Sequence, residues 1–167
     1  MFKTPTIVGV FYYKWTMYFL LARIGKILLV FAYHQTITRE SSVIIGIGID
    51  LVECDRFLDW TAFKKQRIFT KKELEYADTD TANSEKHLAN FWAAREACLK
   101  ALGTGFGEDI AFSDVSVVHN DAGCPELMIA GGAKSKLKEL AGGDARVHLS
   151  ITDQGDYSAA MVIIEKI

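Results

Sequence analysis

The run of residues 83–102 does most to limit what this chain can fold into. It carries Leu88, Phe91, Trp92, Leu99 and Leu102 and then meets Gly103. Apolar side chains returning at that spacing to one face predict a single long helix with a buried stripe. Gly103 is the residue type that ends such a helix in a left-handed turn. The stripe must be covered, and the flanking sequence offers strands to do it. Residues 43–52 form an aliphatic run broken by Gly46 and Gly48, which predicts a buried strand that another backbone approaches closely. Residues 110–119 alternate as a strand, and Asn120, Asp121, Ala122 and Gly123 read as a hairpin-type turn into a strand at 126–130. Two further strands are expected at 147–152 and 157–164.

Shorter helices fill the gaps. Residues 53–68 read as helical or turn-like, with Phe57, Trp60, Phe63 and Ile68 as the apolar positions. Thr70 and Glu73 have capping-box spacing and open a short helix through about residue 77. A lysine-rich helix over 133–140 ends at Gly142 and Gly143. The fold class is therefore α+β: a mainly antiparallel sheet packed on one long helix.

At 167 residues, half of them hydrophobic and 24% charged, the chain has ordinary globular composition and length for one domain with a real core. A net charge of −2 argues against a nucleic-acid-binding protein. Cys54, Cys98 and Cys124 are odd in number and form no CxxC pair, which argues against a disulfide framework or a zinc site and for a reducing cytoplasm.

Charge is spread unevenly. Of 19 basic and 21 acidic residues, five basic and one acidic fall in residues 1–42, leaving 14 and 20 in residues 43–167, a net −6. Residues 1–42 hold apolar runs at 15–22 and 27–33 separated by Arg23 and Lys26. Neither run reaches the ~20 apolar residues of a spanning helix. No small-residue cleavage site follows, as a signal peptide would need. Residues 1–42 are expected to be a mis-assigned or dispensable extension to the domain of residues 43–167, since the valine at position 43 can mark an alternative start codon. A membrane-surface contact through interleaved basic and apolar residues is the less favoured reading.

The chemistry gathers on the second half of the long helix. Glu96 and Lys100 stand at i and i+4, one turn apart on one side, just before the glycine turn Gly103-Thr104-Gly105. Asp50 follows Gly46-Ile47-Gly48-Ile49 near the end of the first strand. Two carboxylates brought together by folding, with oxygen donors only, suit Mg²⁺, which fills its remaining positions with water and phosphate oxygens. A lysine can neutralise phosphate charge, and glycines let backbone N–H groups come close to oxygens. Blander readings fit the same residues. Glu96 and Lys100 match a solvated pair worth ~0.2–0.5 kcal/mol. Asp50 matches a cap on the next helix, and the glycine turn lacks a full phosphate-loop pattern. The residues alone leave both sets open.

Gly46-Ile-Gly48-Ile-Asp50-Leu-Val-Glu53, followed by Trp92-x-x-Arg95-Glu96-Ala97-x-x-Lys100-x-x-Gly103, resembles the two signature motifs of the 4′-phosphopantetheinyl transferases. Ala101-Leu-Gly-Thr-Gly105, Asn120-Asp-Ala-Gly-x-Pro125 and Val147-His148-Leu-Ser150 are similar to the small bacterial type, the holo-acyl-carrier-protein synthases. The resemblance covers residues 44–165 and none of 1–42. It implies the family's fold and transfer of the phosphopantetheine arm of coenzyme A to a serine of an apo acyl carrier protein, with release of adenosine 3′,5′-bisphosphate. It further implies Mg²⁺ on Asp50 and Glu96, Lys100 on the phosphates, and attack of the serine hydroxyl on the β-phosphate, its proton passing to water on the metal or to Glu96. Arg95, Gly103, Gly105 and His148 are implied as cofactor contacts, and a homotrimer with sites between subunits as the assembly. Arg95 stands where the family most often has lysine, and Thr152-Asp153-Gln154 where many members have Thr-His-Glu.

An acidic carrier needs a local positive patch on a domain of net −6. Arg56, Lys64, Lys65, Arg67, Lys71 and Lys72 offer one, against only Asp59. The resemblance implies Arg56 as the docking residue; the plain alternative is a solvated helical face. A non-catalytic carrier- or nucleotide-binding module is the competing functional class, and the retained trio Asp50, Glu96 and Lys100 argues against it.

Overall fold

The computed structural model describes residues 43–107 and 109–167. The expectations for residues 1–42 lie outside the described residues. Strand β1 (Val43–Glu53) pairs antiparallel with β5 (Tyr157–Lys166), and β5 with β4 (Ala145–Gln154), giving the order β1-β5-β4. A separate antiparallel pair joins β2 (Val115–His119) to β3 (Pro125–Ile129). The helices are α1 (Ala62–Ile68), α2 (Lys71–Asp78), α3 (Ser84–Ala101) and α4 (Gly131–Ala141). No helix among the described residues is long and apolar enough to cross a membrane.

Helix α3 is the long helix expected from residues 83–102, with Asn83 and Leu102 as its caps. Its end is built by backbone bonds alone. Gly103 sits at φ +70°, its N–H reaches the Lys100 carbonyl, and the Thr104 N–H reaches back to Leu99. This pattern satisfies carbonyls that the helix would otherwise leave orphaned. α3 is buried around most of its circumference, and its alanines 89, 93, 94, 97 and 101 are all buried. Small side chains let neighbours come close, and β1 uses this fully. A Cβ on Gly48 would lie 1.9 Å from the Ala97 carbonyl oxygen, and one on Gly46 would lie 2.2 Å from that of Ala101. The close approach expected from the two glycines is therefore β1 lying against α3.

The rest of the expectation for β1 needs correction. The strand lies at the sheet edge and buries only one face. Ile47, Ile49 and Leu51 point the other way and stay 62–65% exposed. Alternation puts glycines and Asp50 on the α3 side and the large aliphatics outside, so an apolar run need not mean burial on both faces. Phe63 is also outside, at 70% exposure, because α1 presents no buried residue. The strand expected over 110–119 begins only at Val115, after a tight 3₁₀ turn at Phe112–Asp114. The Thr70–Glu73 capping box is present with both of its reciprocal bonds. Helix α4 stops at Gly142, φ +63°.

Candidate functional site

Folding brings Asp50, Glu96 and Lys100 together. On β1, Asp50 is the next α3-facing residue after Gly48, so the glycine contact delivers its carboxylate to the helix. The Lys100 ammonium donates to Asp50 Oδ1 at 2.8 Å and to the Ile49 carbonyl at 3.0 Å. Glu96, one turn earlier, is half-buried in the same cluster. Burial first, and then the neighbouring Asp50 charge, push its carboxyl above the ordinary glutamate range; Lys100 and Arg56 partly offset them. A half-buried carboxylate whose ionisation a second carboxylate opposes suits a bound cation. Among the described residues no three His, Cys, Asp or Glu side chains converge. Asp50 and Glu96 could thus hold a hard divalent ion that takes one or two protein carboxylates, Mg²⁺ being the type.

Arg56 stands at the rim. It lies on a 3₁₀ turn, Cys54–Phe57, with its guanidinium over the Trp92 ring at 4.6 Å from the centroid. Trp92 is itself wedged among Trp60, Phe106 and Phe112, with ring centroids about 6 Å away. The stack holds an exposed arginine within electrostatic reach of Glu96. A groove lined by Leu51, Val52, Glu53, Asp55, Arg56 and Tyr157 opens beside it. Gly103 and Gly105 lie exposed in the loop after α3, with open space where a side chain would stand.

Two of the expected cofactor contacts lie elsewhere in a single chain. Arg95 is fully buried, and its guanidinium is paired with the equally buried Glu73. It also donates to the carbonyls of Phe112 at 3.2 Å and Phe91 at 3.3 Å. Consecutive helix residues diverge by about 100°, so Arg95 turns into the core while Glu96 turns to the cluster. Burial works against the Arg95 charge, and Glu73 offsets it. His148 is on the outward face of β4, 3.0 Å from Glu165, whereas Asp50 faces α3 from the inner side of the same sheet. Residue reasoning recognised Glu73 only as a helix cap. Nothing in a 22-residue separation could pair it with Arg95.

A sequence profile described as the 4′-phosphopantetheinyl transferase superfamily matches residues 46–162, a span that holds Asp50, Arg56, Glu96 and Lys100. The holo-[acyl-carrier-protein] synthase of Treponema denticola is 42% identical over 125 residues, covering 74% of this chain and 99% of that protein. The synthase of Gluconobacter oxydans is 37% identical over 139 residues, covering 75% and 84%. The crystal structure of a holo-(acyl-carrier-protein) synthase from Bacillus anthracis, in complex with CoA (3′,5′-ADP), aligns with TM-score 0.61 at 31% identity, covering 74% of this chain and 98% of that one. Motif, fold and relatives agree over the same span, and this chain belongs to the 4′-phosphopantetheinyl transferase superfamily.

Proposed function

We propose that the family's reaction runs in this chain through Asp50, Glu96 and Lys100. The chain transfers the 4′-phosphopantetheine arm of coenzyme A to a serine of an apo acyl carrier protein. The observation that carries the site is the convergence of two carboxylates and one ammonium where β1 meets α3. Asp50 and Glu96 would hold Mg²⁺, which neutralises pyrophosphate charge and fixes its orientation when bound. Lys100 has a third donor beyond its two bonds and half of its side chain exposed, which suits it to a phosphate oxygen. The serine oxygen forms the new bond to the β-phosphorus, and the bond to adenosine 3′,5′-bisphosphate breaks. The serine proton would pass to Glu96 or to a water in the site. Gly103 and Gly105 offer bare backbone beside the cofactor.

The assembly proposed is a homotrimer with sites between subunits. The outward apolar row of Ile47, Ile49 and Leu51, backed by Met161 of β5, supports it, because exposed patches of this kind mark contact surfaces. His148 borders that row and would reach a cofactor only across a subunit boundary. Sedimentation equilibrium reads the assembly directly, and a monomer mass would retire it. Three unpaired cysteines fit a cytoplasmic location, and fatty acid synthesis is the proposed pathway of the carrier.

The test is incubation with coenzyme A, Mg²⁺ and apo acyl carrier proteins from several pathways. A carrier mass gain of ~340 Da, the phosphopantetheine modification, is expected; no gain on any carrier would sink the proposal. In the same assay, Arg56→Glu is expected to raise KM for the carrier about tenfold and flatten its salt dependence. KM for coenzyme A should stay nearly constant. An unchanged carrier KM would remove Arg56 from the docking surface.

A further inference from the structure

We infer that the buried pair Glu73–Arg95 is a positioning device for the proposed cation site: it sets the rotation of α3 that aims Glu96 at Asp50. The inference rests on the reading that Asp50 and Glu96 hold the cation.

Glu73 binds far more than one partner. Its Oε2 accepts from the Thr70 N–H and from the Thr70 hydroxyl, both at 2.8 Å, and pairs with Arg95. Its Oε1 accepts from the Val117 N–H at 2.9 Å. Arg95 adds its bonds to the Phe112 and Phe91 carbonyls and lies over the Phe69 ring, 4.9 Å from its centroid. One ion pair therefore ties α3 to the start of α2, to the 3₁₀ turn and to β2. Both side chains are fully buried, so the geometry is held without competition from water.

The grip lies on the side of the helix where it controls rotation. Ala97 and Ala101 face the glycines of β1. Arg95 is two residues before Ala97, about 200° around the helix, and so on the opposite side. Glu96 falls between the two grips. A turn of α3 by about 20° would carry a carboxylate roughly 6 Å from the axis through about 2 Å. Mg²⁺ requires oxygens at about 2.0–2.1 Å in near-octahedral order, so an error of that size would be fatal to ligation. The glycine contact restrains how close α3 comes, whereas the forked Arg95 bonds restrain how it turns. A lysine at this position could meet Glu73, but as a single compact ammonium it lacks the planar fork that reaches the two carbonyls as well.

The experiment titrates Mn²⁺, as a spectroscopic substitute for Mg²⁺, into the chain in the presence of coenzyme A and reads binding by electron paramagnetic resonance. Arg95→Lys is expected to raise the Mn²⁺ dissociation constant about tenfold, the lower end of what residues supporting a metal site contribute. KM for coenzyme A at saturating Mg²⁺ should change by less than about twofold. Thr70→Val, which removes the two bonds between the Thr70 hydroxyl and Glu73 and keeps the ion pair, is the milder variant. It is expected to weaken Mn²⁺ two- to threefold, by roughly half a kcal/mol, and it decides the matter if Arg95→Lys fails to fold. Folded variants with wild-type Mn²⁺ binding would overturn the inference and leave the pair a purely structural one. If the unmodified chain shows no Mn²⁺ binding that Asp50→Asn abolishes, the reading of the cation site fails instead.

Discussion

Gly48→Ala is expected to cost about 3 kcal/mol or more of folding free energy, at or beyond the upper range for overpacking. The new methyl group would fall 1.9 Å from the Ala97 carbonyl oxygen and 2.6 Å from the Ala101 amide nitrogen. Both are backbone atoms of a buried helix, so neither can swing aside as a side-chain tip would. The clash can be relieved only by moving β1 away from α3, and that movement separates Asp50 from Glu96. The substitution should therefore lower the urea midpoint sharply, and any protein that still folds should bind the cation poorly. Gly103→Ala is the control. Gly103 has open space around it but φ at +70°, so the cost there is the left-handed backbone alone, about 1–2 kcal/mol. If both variants lose the same stability, the tight β1–α3 contact does not have the importance argued for it.

Glu96→Gln should leave the fold intact and remove most of the activity, by at least ~100-fold, the scale found when one group that stabilises developing charge is lost. Its stability should move in the unusual direction. The Glu96 carboxyl is held above its ordinary range by burial and by Asp50. A group with a raised folded-state pKa favours folding at low pH, below its unfolded value. That contribution is lost as pH rises through the folded value. The metal-free wild type should thus lose stability on going from about pH 4 toward neutrality through this group. Glutamine has no such dependence, so in the presence of a chelator the variant should match or exceed the wild type at pH 7. The gap should close in acid. Denaturant unfolding at several pH values, beside the carrier mass-gain assay, reads both parts. A variant that is inactive and also markedly less stable at pH 7 would make Glu96 a structural residue.

Other parts of the expectation turned on interactions the linear pattern does not encode. Helix α3 was legible because its period and its glycine stop are local properties of adjacent residues. The Thr70–Glu73 capping box was legible for the same reason. The beginning of β2 was not, because the 3₁₀ turn at Phe112–Asp114 is set by longer-range bonds. Asp114 accepts from the Gly132 amide at 2.8 Å, and Arg95 takes the Phe112 carbonyl. Phe63 and the outer row of β1 look like core by composition. They are exposed because none of the other described residues buries them.

The sequence by itself determined the α+β class, the long helix, the close-approach glycines and the family, since periodicity and spaced motifs are written along the chain. Only the tertiary structure decided which way adjacent residues turn. Arg95 and Glu96 are neighbours in sequence, yet about 100° of helix rotation sends one to a buried ion pair with Glu73 and the other to Asp50 and Lys100. The partner that fixes each direction comes from an element 22 to 46 residues away, and only folding brings it there.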